Sequence, residues 1–70
     1  MNLKKVKSTN IDSIGHDPEQ NILRVRFLNG GEYNYHGISS QQYQAMLNSE
    51  SIGSHLSSTI KPSATTVEKL

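Results

Sequence analysis

Residues 21–36 constrain this chain more than any other stretch. Leu23, Val25 and Phe27 alternate with Arg24 and Arg26, Asn29-Gly30-Gly31 follows, and Glu32-Tyr33-Asn34-Tyr35-His36 alternates again. A period of two on both sides of a glycine-bearing turn predicts a β-hairpin. A two-residue Asn29-Gly30 loop places Phe27 opposite Glu32 and Val25 opposite Asn34, which sets apolar against polar on one face. A three-residue loop from Asn29 to Gly31 instead pairs Phe27 with Tyr33 and Val25 with Tyr35, leaving Arg26 beside Asn34 and Arg24 beside His36 on the other face. The three-residue loop is therefore expected, with a glycine in the left-handed position.

The rest of the fold follows from this hairpin. Ile11 to His16 reads as a weaker strand, closed by Asp17-Pro18-Glu19-Gln20-Asn21, whose Asp-Pro and Asn suit a turn. Ser39 and Gln42 form an S-x-x-Q capping box, and Ile38 before it can staple to Tyr43. Tyr43, Met46 and Leu47 then repeat at i, i+3, i+4, giving one apolar stripe. Ser51 can cap a second helical segment in which Ile52, His55, Leu56 and Ile60 share a side, and Pro62 is expected to end it. The expected fold class is α+β. A three-stranded antiparallel sheet (about residues 11–16, 22–28 and 32–36) is covered on one face by a helix (about 40–48) and a second short helix (about 52–60). Residues 1–10 form a basic N-terminal segment, 11–61 the domain, and 62–70 a flexible tail.

Composition bounds what such a fold can do. There is no cysteine, so neither a disulfide nor a thiolate metal site can staple a 70-residue chain. Ile, Leu, Val and Phe make up 16 of the 70 residues, just above the roughly one-fifth below which chains tend to be disordered. A core this small gives self-association a stabilising role. Seven Lys and Arg against six Asp and Glu exclude a polybasic arm or an acidic tail, although Lys4, Lys5 and Lys7 make the N-terminal segment basic. No apolar run approaches a membrane span, and no hydrophobic region follows Met1-Asn2-Leu3-Lys4-Lys5. Neither an anchor nor a signal peptide is expected, and the expected setting is cytoplasmic, without a membrane partner.

Chemistry-bearing residues are few. Tyr33 and Tyr35 share one face of the hairpin, where aromatics serve either as stacking platforms for bases or as the floor of the core. Arg24, Arg26, Asn34 and His36 share the other face, which is either a solvated surface or a holder of phosphate through forked hydrogen bonds. His16, His36 and His55 lack metal-ligand spacing, so no metal or other cofactor is expected. There is no G-x-S-x-G elbow, P-loop or dinucleotide fingerprint, and no acid–base pair, so no enzyme is expected.

These residues together resemble the KTSC domain, a family named for the C-terminus of lysyl-tRNA synthetases and also found as free-standing bacterial and phage proteins. The likeness runs from about Val6 to Lys61. It rests on Ser8-Thr9-Asn10-Ile11 leading to Ile14-Gly15-His16-Asp17, on Leu23 to Phe27, on Asn29-Gly30-Gly31, and on Tyr33-Asn34-Tyr35 for the family's central Y-x-Y. Tyr43, Leu47, Ser51, Gly53, Ile60 and Lys61 continue it. The chain departs from the family at His16, where Tyr is usual, at Ser39, where Pro is common, and at His55 and Ser57, where an aromatic and Asn are typical. The resemblance implies a small α+β module with a role in binding RNA, and it brings no catalytic residues.

The expected function is accordingly a non-enzymatic binding module for nucleic acid or a nucleotide-like ligand, with Arg24, Arg26, Tyr33, Tyr35 and His36 as contacts. Two alternatives stand beside it: a phage or bacterial oligomer that sequesters a phosphorylated signalling nucleotide, and a protein-interaction domain whose sheet edge pairs with a partner strand. The Ile11–His16 strand carries no Lys or Pro to guard its edge, and Ile22 and Leu28 lie beside the arginines, so a homo-oligomer is expected as well.

Overall fold

The computed structural model describes residues 1–70. The expected three strands form the middle of a five-stranded antiparallel sheet in consecutive order: β1 (Lys4–Lys5), β2 (Ile11–Asp17), β3 (Ile22–Phe27), β4 (Glu32–His36) and β5 (Thr66–Lys69). Both additional strands come from segments read as non-sheet. The basic segment supplies β1, and residues 66–69, expected in a flexible tail, return to pair with β4. Their shortness and polarity hid them, because neither carries an alternation long enough to register as a pattern.

The hairpin loop has three residues, but they are Leu28, Asn29 and Gly30. Phe27 N–H donates to Gly31 O at 2.8 Å, and Gly30 takes the left-handed conformation with φ +96°. Val25 therefore faces Tyr33, Leu23 faces Tyr35, Arg26 faces Glu32 and Arg24 faces Asn34. This corrects the expected register by two residues. Matching apolar to apolar fixes only which face a residue occupies, and a shift of two preserves every face. Phe27 and Tyr33 accordingly still meet, diagonally and edge to face, with ring centroids 5.7 Å apart.

Ile11 and Ile14 are both fully buried, although a regular strand would send residues three apart to opposite faces. A bulge reconciles them. Ile11 pairs with Phe27 and Ser13 with Arg26, which leaves Asp12 as the extra residue.

Helix α1 (Ser40–Leu47) starts at the expected capping box, in which Ser39 N–H donates to Gln42 Oε1 at 2.8 Å and Gln42 N–H to Ser39 Oγ at 3.2 Å. The second helical segment runs as α2 (Ile52–His55), a π-helical stretch (Leu56–Ile60) and α3 (Lys61–Ser63). Pro62 does not end it. The wide turn just before the proline, closed by Lys61 N–H donating to Leu56 O, loosens the spiral where a proline ring would otherwise crowd a preceding carbonyl. The core joins Ile11, Ile14, Leu23, Val25 and Tyr35 of the sheet to Ile38, Met46, Leu56 and Ile60 of the helical layer. No helix is long and apolar enough to cross a membrane.

Candidate functional site

The hairpin's alternation sends the five expected contact residues to two opposite surfaces. Arg24, Arg26 and His36 lie on the outer face of the sheet; Tyr33 and Tyr35 lie on the inner, helix-bearing face.

On the outer face the register sets Arg24, Asn34 and Glu68 in a row across β3, β4 and β5. Arg24 Nε donates to Asn34 Oδ1 at 2.9 Å, and Asn34 Nδ2 donates to Glu68 Oε1 at 3.3 Å. The same Glu68 oxygen lies 3.0 Å from His36 Nε2. One row further, Arg26 Nε meets Glu32 at 3.1 Å, and Lys5 meets Asp12 at 3.3 Å. The hydrogen bond from His36, and then that from Asn34, hold the Glu68 carboxyl below its ordinary value. The Ser13 hydroxyl, with Lys5 behind it, does the same for Asp12. The cations expected to hold phosphate thus have carboxylates or an amide of the chain itself as partners. The expectation that Ile22 and the β2 edge are free is corrected as well: Ile22 is 9% exposed, and β1 covers β2.

The inner face is different. Between the hairpin turn, β5 and the start of α3 lies a cleft of about 590 Å³ lined by Phe27, Asn29, Gly31, Tyr33, Tyr35, Lys61, Val67 and Lys69. Tyr35 is 2% exposed and belongs mainly to the core; burial, and secondarily Tyr33, raise its phenol pKa and keep it neutral. Tyr33 is only half-buried, with the ring of Phe27 set edge-on to it. Register places Lys69 opposite Tyr33 and Val67 opposite Tyr35, and Lys61 approaches from α3. Neither lysine has a carboxylate partner among the ion pairs. Lys61 entered the reading only through the resemblance and Lys69 not at all. The available signal was Val67 and Lys69 alternating with Thr66 and Glu68 behind a Thr-Thr pair, a short strand pattern at the chain's end.

The histidines are dispersed. His16 Nε2 is 2.6 Å from Ile38 O and its ring stacks on Tyr43 at 5.3 Å, His36 contacts Glu68, and the buried His55 Nε2 has no partner. No group of three or more His, Cys, Asp or Glu side chains could hold a metal ion.

Comparison with known proteins agrees with this architecture. The chain is similar to an uncharacterized protein of Stutzerimonas stutzeri (strain A1501), 39% identical over 57 residues that cover 81% of this chain and 80% of that one. It is also similar to a protein of Tsukamurella paurometabola, 32% identical over 60 residues covering 86% and 90%. The crystal structure of a KTSC domain protein from Yersinia pestis superposes with a TM-score of 0.91 at 29% identity, covering 99% of this chain and 96% of that one. The family model for the KTSC domain matches residues 7–63, and the chain belongs to the KTSC domain family.

Proposed function

We propose that this chain is a non-enzymatic module that binds a short single-stranded nucleic acid or a nucleotide-like ligand, and that the ligand enters the inner cleft. The observation that carries this reading is the pairing of a half-buried tyrosine, Tyr33, with two lysines free of carboxylate partners, Lys61 and Lys69, around one concavity. A base stacked on an aromatic ring gains about 1–3 kcal/mol, and a lysine ammonium supplies the point charge that a phosphate needs. A formal net charge of +1 favours a ligand with few phosphates, since long nucleic acid is held by neutralising many. Arg24, Arg26 and His36, engaged with partners on the opposite face, are secondary in this reading.

The test is equilibrium binding of a labelled tetranucleotide RNA and of a nucleoside triphosphate, with circular dichroism to verify folding. Tyr33→Ala and the double variant Lys61→Glu/Lys69→Glu are each expected to weaken binding at least about tenfold, equivalent to about 1.4 kcal/mol. Arg24→Gln/Arg26→Gln is expected to change it less than about threefold on the same scale. Binding abolished by the arginine pair and indifferent to the lysine pair would move the site to the outer face. No binding by the wild-type chain would end the reading.

A further inference from the structure

The sheet has two edges of different character. β1 offers only Lys4 and Lys5, so pairing it with a copy of itself brings ammonium groups together. β5 offers four residues, all exposed. Its hydrogen-bonding parity is fixed by Leu70 N–H donating to Glu32 O at 2.9 Å. In that register the backbone groups of Thr66, Glu68 and Leu70 point toward β4, and those of Val67 and Lys69 point away from the sheet.

We propose that two copies of this chain pair antiparallel along β5 about a two-fold axis at Val67. This register satisfies the outward backbone groups of Val67 reciprocally with Val67 of the partner subunit, and it sets Lys69 beside Thr65 of the partner subunit, whose own N–H is already bonded to His36 O at 2.9 Å. On the outer face Glu68 lies opposite Thr66 of the partner subunit. No like charges face one another. The register centred one residue further along sets Glu68 against its own copy and Val67 against a lysine, so charge and apolar matching favour the axis at Val67. Val67 is 51% exposed in the single chain, and the axis buries it against its equivalent.

An axis perpendicular to the sheet keeps inner face with inner face, so the product is one ten-stranded sheet. The two β4 strands are then three strand spacings apart, about 14–15 Å. Both clefts open on the same surface, with the paired Val67 side chains as their shared floor and the lysines of both chains around them. If the cleft is the binding site proposed above, this joined surface suits a ligand with two bases and intervening phosphates; the pairing itself does not depend on that reading.

Sedimentation of the full chain from roughly 1 µM to 1 mM, a span in which each tenfold step is about 1.4 kcal/mol, decides the matter. The wild-type mass is expected to rise from 7.8 kDa toward twice that value. Val67→Pro is expected to stay at 7.8 kDa with an unchanged circular dichroism spectrum, because the N–H it removes is not bonded to β4 and proline is tolerated on such an edge. Val67→Lys, which sets like charges across the axis, is expected to do the same and serves if the proline variant does not fold. A wild-type monomer at every concentration overturns the proposal, and so does a folded Val67→Pro or Val67→Lys variant that dimerises as the wild type does. Titrating the wild-type chain with a nucleoside triphosphate at a concentration where it sediments as a monomer separates the two proposals: one-site binding there supports the cleft whatever happens at higher concentration, and absent binding alongside a dimer at higher concentration leaves the pairing standing.

Discussion

Asn34, the central residue of Tyr33-Asn34-Tyr35, is 6% exposed although it lies on the polar face. Burial of an amide is tolerable because both of its ends are used, one accepting from Arg24 and the other donating to Glu68. His55 is the contrasting case. Its Nε2 is buried without a partner, and an unpaired buried polar atom costs about 1–3 kcal/mol. The family resemblance implies that an aromatic is typical at this position, and Phe removes the polar atom while keeping a planar ring. His55→Phe is therefore expected to stabilise the chain by about 1 kcal/mol, read as a melting temperature higher by about 4–8 °C in a domain of this size. Thermal unfolding at pH 7 checks it, and a lower melting temperature would show that the imidazole has a role that its partnerless nitrogen does not reveal.

At the level of elements, the legible parts of the fold were those set by local chemistry. The capping box at Ser39 and Gln42 and the alternation through Leu23 and Phe27 each state their structure within a few residues, whereas the turn shows its place but not its register, since Leu28 to Gly30 rather than Asn29 to Gly31 form the loop. What escaped reading depended on distant partners. The bulge at Asp12 exists because Ile11 and Ile14 must both reach the core, and the wide helical turn before Pro62 keeps Leu56 and Ile60 buried. Only pairing with β4, from which the whole helical layer separates it in the chain, gives Thr66–Lys69 its structure. Gly15 shows the same long-range dependence. A Cβ there would sit 2.7 Å from the Asn2 carbonyl oxygen and 2.9 Å from Leu3 Cδ2, so the segment leading into β1 lies directly on it. Gly15→Ala is expected to cost about 1–3 kcal/mol and to speed amide exchange first at Lys4 to Val6. Unchanged exchange there, with a lower melting temperature, would place the strain elsewhere. The candidate site divides along the same line: Tyr33 was readable from its own strand, whereas Lys69 becomes part of a cleft only once β5 has returned to β4.

For the whole molecule, the consequence is a sheet whose middle is held by an apolar core and whose two outer strands are clipped on the polar face by carboxylates. Asp12 receives Lys5 of β1, and Glu68 of β5 receives His36 and Asn34 of β4. Both carboxyl groups have folded-state pKa values below their ordinary values of 3.8 and 4.5. A lowered folded pKa means that the stabilising contribution is complete above the unfolded value and is lost as pH falls through the folded one. Exposed ion pairs contribute little to global stability, so acid should act on the edges before it acts on the core. Acidification from pH 6 to pH 3 is expected to lower the amide protection factors, corrected for the slower intrinsic exchange in acid, at Thr66, Glu68 and Leu70, which bond to β4, while those of Val25, Tyr33 and Tyr35 hold. Loosening of β5 also removes Val67 and Lys69 from the cleft, so ligand binding should fall over the same interval. Glu68→Gln offers the control, because an amide at that position can still accept from Asn34 or His36 but does not titrate. In that variant the acid-dependent exchange at β5 should largely disappear. If β5 and the core lose protection together in the wild type, the edge strand is held by packing against Tyr35 rather than by its carboxylate.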